Sequence, residues 1–227
     1  MTVSPLPRNR RRAPRRPAGY IRMASLVLLA IAPLATGCFK VAAAWANITH
    51  GDWIEPQFTL TKAPLLILID DRNSLVTEPI AMRELHKTIS ENFLAFKVNE
   101  MVVPFDEWRR LAQNDRSYHK YSIRQIGEKL GAEQVLYINV ERFTIHSEVG
   151  APIFKGEFTV RVKVLSTDRK KDIRLWPSEE AGKRMSSNTP ATSADSEISA
   201  NKVATELAVK LGKDISKMFY GHRELEE

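Results

Sequence analysis

Cysteine is almost missing: the chain of 227 residues holds one, Cys38. That excludes an intrachain disulfide and a thiolate-cluster metal site, so any fold must rest on its apolar core. The short motifs of phosphate and hydrolytic chemistry are missing too. There is no GxxxxGK[ST] loop, no GxGxxG turn and no Gly-x-Ser-x-Gly elbow. The histidines His50, His86, His119, His146 and His222 are scattered without an i, i+4 pair, and Glu84-Leu85-His86 is not the HExxH zinc pattern. Acidic residues are absent before Asp52. No apolar run reaches the roughly 20 residues that cross a bilayer.

What the first forty positions do hold is ordered. Arg8, Arg10, Arg11, Arg12, Arg15, Arg16 and Arg22 come first, and the apolar stretch Met23 to Ala35 follows. A positive region, a short apolar region and small residues before a cut are the marks of a secretory signal. The alternatives are an uncleaved signal anchor or an arm lying on a membrane surface. Leu34-Ala35-Thr36-Gly37-Cys38 resembles a bacterial lipobox, although Ala35 stands where leucine is commonest and Leu34 lies one place earlier. The resemblance implies cleavage between Gly37 and Cys38 and acylation of the Cys38 thiol. The other reading is a cysteine that is merely buried. Arg15-Arg16-Pro17-Ala18 lacks the residues that follow a full twin-arginine pattern, which favours the general secretory route. Phe39 is not the aspartate that retains lipoproteins at an inner membrane, which favours the outer one.

Removing that leader changes the charge argument. The formal net charge of +7 is carried by the seven arginines before Met23, and the chain from Cys38 onward balances 27 basic against 27 acidic residues. A basic patch is the footprint of nucleic-acid binding, and here it belongs to the leader. No nucleic-acid partner is expected.

Along the chain, residues 39–62 lack periodicity and read as a tether that follows the lipidated cysteine and becomes ordered near Trp53 or Phe58. Ala63 to Ile69 is a continuous apolar run, with Pro64 near its start, closed by Asp70-Asp71, the pattern of a strand buried on both faces. Thr77 to Phe96 reads as a helix with Thr77 as its cap and Met82, Leu85, Ile89, Phe93 and Phe96 on its inner side. Lys97 to Val103 reads as a second strand, and Phe105 to Asn114 as a short helix with Trp108 and Leu111 inward. Ser122-x-x-Gln125 is a capping box that opens a helix closed by Gly131. Gln134 to Thr144 reads as a strand. In Ile153 to Leu165, Phe158, Val160, Val162 and Val164 alternate with charged or polar residues, which predicts a strand with one buried face. Ile173 to Trp176 continues or re-pairs it. Residues 177–196 turn polar and read as a loop. Val203, Leu207, Leu211, Ile215 and Phe219 predict a final helix docked on the sheet. The order predicts a single α/β (α+β) domain over residues 63–227, a mixed sheet flanked by helices.

One segment resembles a known group. Ile126-Gly127-Glu128-Lys129-Leu130-Gly131-Ala132-Glu133-Gln134-Val135-Leu136-Tyr137 is similar to the helix, Leu-Gly-Ala, strand signature of envelope lipoproteins with the fold of the TolB amino-terminal domain, a group that includes CsgG and LpoB. The strand ending Asp70-Asp71 and the later Leu175-Trp176-Pro177 resemble lipoproteins of planctomycete-like bacteria. The resemblance implies a periplasm-facing, non-catalytic domain that contacts other envelope components. It implies no catalytic residues, metal or cofactor.

Two constellations remain as candidates. Asp70 and Asp71 follow a central strand, where α/β sheets place sites, and with another acid could hold a divalent cation; the plainer reading is a solvated strand end with Arg72 as counter-charge. Trp176 and Pro177, beside the polar stretch, are the candidate contact with a protein partner; core packing is the plainer reading for Trp176 as for Trp108. The expected function is a membrane-anchored envelope lipoprotein that binds or positions a protein partner. The alternative is a periplasmic enzyme or metal-binding domain using Asp70 and Asp71.

Overall fold

Two long strands carry the architecture. The computed structural model describes residues 52–147, 153–171, 173–190, 192–193 and 200–223. The signal segment, Cys38 and the tether up to residue 51 lie outside the described residues, as does part of the polar stretch after Pro190. Trp53–Arg223 forms one unit.

The elements run β1 (Trp53–Ile54), β2 (Leu65–Asp70), α1 (Ile80–Ala95), α2 (Phe105–Asn114), a 3-10 turn (Tyr118–Lys120), α3 (Ile123–Lys129), β3 (Gln134–Ser147), β4 (Ile153–Ser166), β5 (Arg174–Trp176), β6 (Lys183–Asn188), β7 (Thr192–Ser193), α4 (Ala200–Lys217) and β8 (His222–Arg223). β2 pairs parallel to β3, and β3 antiparallel to β4. β5, β6 and β7 then lie end to end along the other edge of β4, all antiparallel to it. The result is a six-stranded mixed sheet, with β1 and β8 forming a separate two-stranded ribbon. This is the single α+β domain that the sequence implies, and its sheet does not close into a barrel.

The alternation in β4 has the expected consequence. Phe158, Val160, Val162 and Val164 are wholly buried, as are Leu136 and Ile138 on β3. A bulge between Val140 and Arg142 then shifts the register by one. Without it Phe143 would point to solvent; with it Phe143 is buried edge-on against Phe158, ring centroids 5.1 Å apart. The same bulge puts Glu141 and Arg142 together on the opposite face.

Helices α1 and α4 cover the apolar face. Leu85, Ile89 and Phe93 from α1 meet Leu207, Leu211 and Ile215 from α4, all without solvent exposure. The two helices approach closely at Gly212, where a Cβ would lie 2.9 Å from Thr88 Cβ. They run parallel, since Phe93 packs edge-on against Phe219 and Phe96 stacks on Tyr220. On the other face α3 covers only the start of β3, with Gly127 against Val135 and Thr167. Its capping box is present as expected: Gln125 N donates to Ser122 Oγ at 3.2 Å, and Ser122 N to Gln125 Oε1 at 2.8 Å. Gly131, at φ +68°, closes the turn after it, a conformation that disfavours other residues.

Four expectations are corrected. Residues 177–196 are not one loop, because Lys183–Asn188 pairs with β4 as β6; an outer strand needs few apolar residues. Lys97–Val103 forms no strand beyond a one-residue bridge from Val102 to Leu65, since Pro104 ends the pairing by lacking an N–H. Thr77 does not cap α1. The cap position is Pro79, already helical at φ −56°, and no side chain bonds there. Phe96 leaves the buried stripe because the helix ends at Ala95, and its ring is 52% exposed.

Asn99 ties the edge of β2 together. It is fully buried, its Nδ2 donates to the carbonyls of Thr61 and Ala63 at 2.9 and 2.8 Å, and its Oδ1 accepts from Met101 N at 2.7 Å. Removing it strands two carbonyls and an amide. Asn99→Ala is expected to lower unfolding stability by about 3 kcal/mol in urea denaturation, and Asn99→Asp by more, because a carboxylate would face two carbonyl oxygens. A change under about 1 kcal/mol would show that water replaces the network.

Candidate functional site

The strand-end carboxylates each have partners. Asp70 ends β2 and is mostly covered. It accepts a hydrogen bond from Tyr137 Oη at 2.6 Å and pairs with Arg72 Nε at 2.8 Å. Burial, then the bond to Asp70, pushes the Tyr137 hydroxyl well above its ordinary range. Asp71 turns the other way and accepts the backbone amides of Leu75 and Val76 at 2.8 and 2.9 Å, closing the turn after the strand. The two carboxylates therefore do not converge on one point. Among the described residues no group of three or more His, Cys, Asp or Glu side chains could hold a metal ion.

Trp108 is buried, and its indole N–H donates to Tyr118 Oη at 2.8 Å. Trp176 is half-buried between Phe58 and Phe219, with ring centroids at 6.4 and 5.7 Å, and follows into a cis bond with the buried Pro177. Both residues pack within the domain, and the exposed fraction of Trp176 is what remains for a partner.

The larger polar surface is the sheet face opposite α1 and α4. Glu141, raised there by the bulge, pairs with both Arg161 and Arg184, the latter at 3.2 Å. Arg142 lies 3.6 Å from Glu157, which accepts from Thr159 Oγ1 at 3.0 Å. Thr159 also bonds Ser186 at 2.9 Å. This face is covered where Leu66, Leu68 and Val135 are buried, and it opens toward Arg161 on β4 and Arg184 on β6. The sequence hides the cluster, because the two partners of Glu141 lie 20 and 43 positions along the chain from it. Only the bulge unites them. A shallow depression of about 310 Å³ beside α3 is lined by Tyr121, Gln125, Glu128, Lys129 and Arg169. Its charges satisfy one another: Arg169 grips Glu128 through two 3.0 Å bonds, and Lys129 lies over the Tyr121 ring.

His86 is the strongly perturbed histidine. It is buried in α1 beside Phe105, its Nε2 has no hydrogen-bond partner, and burial pushes its pKa from 6.5 to about 4 despite the attraction of Asp106. It serves packing and contributes no exposed group.

No family model matches the chain, and no curated protein matches it. Among solved structures it is similar to the PelC dodecamer from Paraburkholderia phytofirmans, at 12% identity and TM-score 0.35 over 74% of this chain and 96% of that one. It is also similar to lipoprotein GNA1162 from Neisseria meningitidis, at 16% identity and TM-score 0.38 over 68% and 99% of the two chains. A minor lipoprotein from Acinetobacter baumannii matches at 9% identity and TM-score 0.33 over 73% and 99%.

Two outcomes follow. Asp71→Ala should cost about 1 kcal/mol by freeing the turn, and Asp70→Asn less, since its ion partner is exposed; if both leave the cellular phenotype intact, no chemistry depends on them. A His86 held neutral favours the fold fully above pH 6.5, where the unfolded chain is also neutral. As pH falls toward 4 the unfolded chain takes up a proton that the folded one refuses, so stability drops. The loss should approach about 3 kcal/mol between pH 7 and 4. His86→Leu should flatten that part of the pH profile in denaturant titrations; an unchanged slope would exclude His86 as its source.

Proposed function

We propose that the protein is an envelope lipoprotein, held to a membrane by acyl chains on Cys38, whose α+β domain acts without catalysis to bind or position a protein partner. The observation that carries this reading is the lone cysteine at the end of Leu34-Ala35-Thr36-Gly37-Cys38, directly after an arginine-rich and then an apolar segment. One acyl chain anchors marginally, while two or more hold stably. Among the described residues no helix is long and apolar enough to cross a membrane.

The domain supports a binding role over the enzymatic alternative. Asp70 and Asp71 are both engaged in holding the strand end and its turn. The bulged sheet face offers instead a preorganised array of Glu141, Arg142, Arg161 and Arg184 that another protein could meet. That face and the exposed side of Trp176 are the surfaces we assign to the partner, an envelope protein. The outer membrane is the favoured site, facing the periplasm.

Cys38→Ser is expected to abolish incorporation of labelled fatty acid and to release the protein from the membrane fraction. Continued labelling, or an intact native mass that retains the arginine-rich leader without acyl chains, would overturn the reading. Crosslinking in the native envelope followed by mass spectrometry should recover a partner at Arg184 and Arg142. Arg184→Glu should weaken that crosslink.

A further inference from the structure

Among the described residues, the large apolar side chains that stay exposed are Trp53, Leu94, Phe96, Met101 and Ile173, each 50–60% accessible. Single exposed apolar residues are ordinary, but a collection of them in one place marks a contact surface. These five come from four separate segments, and the topology gathers them at one end of the domain. β2 and β3 both start at that end, with Leu65 paired to Gln134. β4 finishes there, with Ser166 opposite Gln134, so the turn carrying Ile173 projects from it. α1 ends there too, leading into Leu94 and Phe96, and Met101 O accepts from Leu65 N at 2.9 Å. α4 runs parallel to α1, so Tyr220 arrives beside Phe96, stacked at 3.9 Å. Trp53 pairs with Arg223, and its ring lies over Gly221, where a Cβ would come within 2.2 Å. At the opposite end, the exposed positions of the turn after β2 are Arg72, Asn73, Ser74 and Thr77.

We propose that this end rests directly on the lipid surface, with Trp53, Phe96 and Tyr220 at the level of the headgroups and Leu94, Met101 and Ile173 dipping below them. The inference rests on the lipid-anchor reading. Trp53 is the first residue of the folded unit and stands fifteen positions after Cys38. Such a span reaches about 50 Å only at full extension, so an acylated Cys38 holds this end, of all ends, near the bilayer. Tryptophan and tyrosine favour the membrane interface because their rings are apolar while their polar atoms stay wet. The chemistry of the surroundings favours lipid over a second copy or a protein. The apolar tips alternate along the chain with Glu55, Lys62, Lys97, Glu100, Asp168 and Lys170. Separate tips among charges of both signs suit a fluid interface, which needs no shape complement. The mixed charge also implies weak dependence on salt and on lipid charge.

The full-length, acylated protein in phosphatidylethanolamine/phosphatidylglycerol vesicles tests this. Because the Cys38 thiol is consumed by its lipid, Phe96→Cys, Ile173→Cys and Asn73→Cys each provide a single thiol for an environment-sensitive fluorophore. Brominated phospholipids should quench the labels at 96 and 173 severalfold more than the one at 73, with little change in high salt. Ile173 is half exposed, and its place in the fold depends on its backbone carbonyl, which accepts from Ser166 N, so that position reports even if Phe96→Cys disturbs its stack with Tyr220. If the protein carries acyl mass and floats with vesicles but labels at 96 and 173 are quenched no more than at 73, the resting surface is refuted and the anchor stands. Disulfide crosslinks between copies through position 96 or 173, in place of quenching, would also refute it. Absence of acyl mass and of flotation would remove anchor and resting surface together.

Discussion

The parallel packing of α1 against α4 is the contact on which the rest of the unit depends. Most of the sheet's buried apolar surface lies on one face, and these two helices are what covers it, while Leu66, Leu68 and Val135 form a smaller buried patch on the other. Their approach at Gly212 and Thr88 leaves no room for a side chain. Close approach lets Leu85, Ile89 and Phe93 interdigitate with Leu207, Leu211 and Ile215 above Leu136, Ile138, Val160 and Val162. Apolar burial of this kind is the main favourable term in folding, and without a disulfide in the unit nothing else of that size is present. The parallel direction has a second effect: it brings the ends of both helices, and the ribbon of β1 and β8, to the same pole as the start of β2.

The more open face follows from the same asymmetry. This second face is covered only in part, and β4 presents Glu157, Arg161 and Lys163 there, with Thr159 buried between them. The bulge in β3 contributes twice. It returns Phe143 to the core, and it places Glu141 within reach of two arginines. Surface ion pairs stabilise little, so this cluster matters more for the pattern it displays than for the fold. Packing and display are thus set by one extra residue.

Much of this order is legible in the sequence. The alternation of Phe158 to Val164 declares a strand with one buried face, and Ser122 with Gln125 declares the start of α3. The periodicity of Val203 to Phe219 declares the covering helix. What escapes is governed by contacts distant along the chain. β6 holds Lys183, Met185 and Ser187 on its inner side, and only Met185 looks apolar, so composition reads it as loop although Ser187 is 1% exposed. Phe96 lies three residues after Phe93, on the same helical side, but past the point where the helix stops. Of the features proposed to carry function, Cys38 is visible in sequence alone. The apolar pole is not, because Trp53, Leu94, Met101 and Ile173 converge only through topology.

The broken outer margin of the sheet carries a consequence of its own. β5, β6 and β7 are segments of three, six and two residues, interrupted by Pro177, Gly182 and Pro190. At the other margin β2 meets Val102 and stops at Pro104. Exposed strand edges invite a neighbour's strand to add on. Here a visiting chain would find at most a short register on one side and a proline on the other. Lipid anchoring crowds molecules into two dimensions, where such templated stacking is most dangerous. A sheet with fragmented borders can be concentrated on a surface without turning into a fibre.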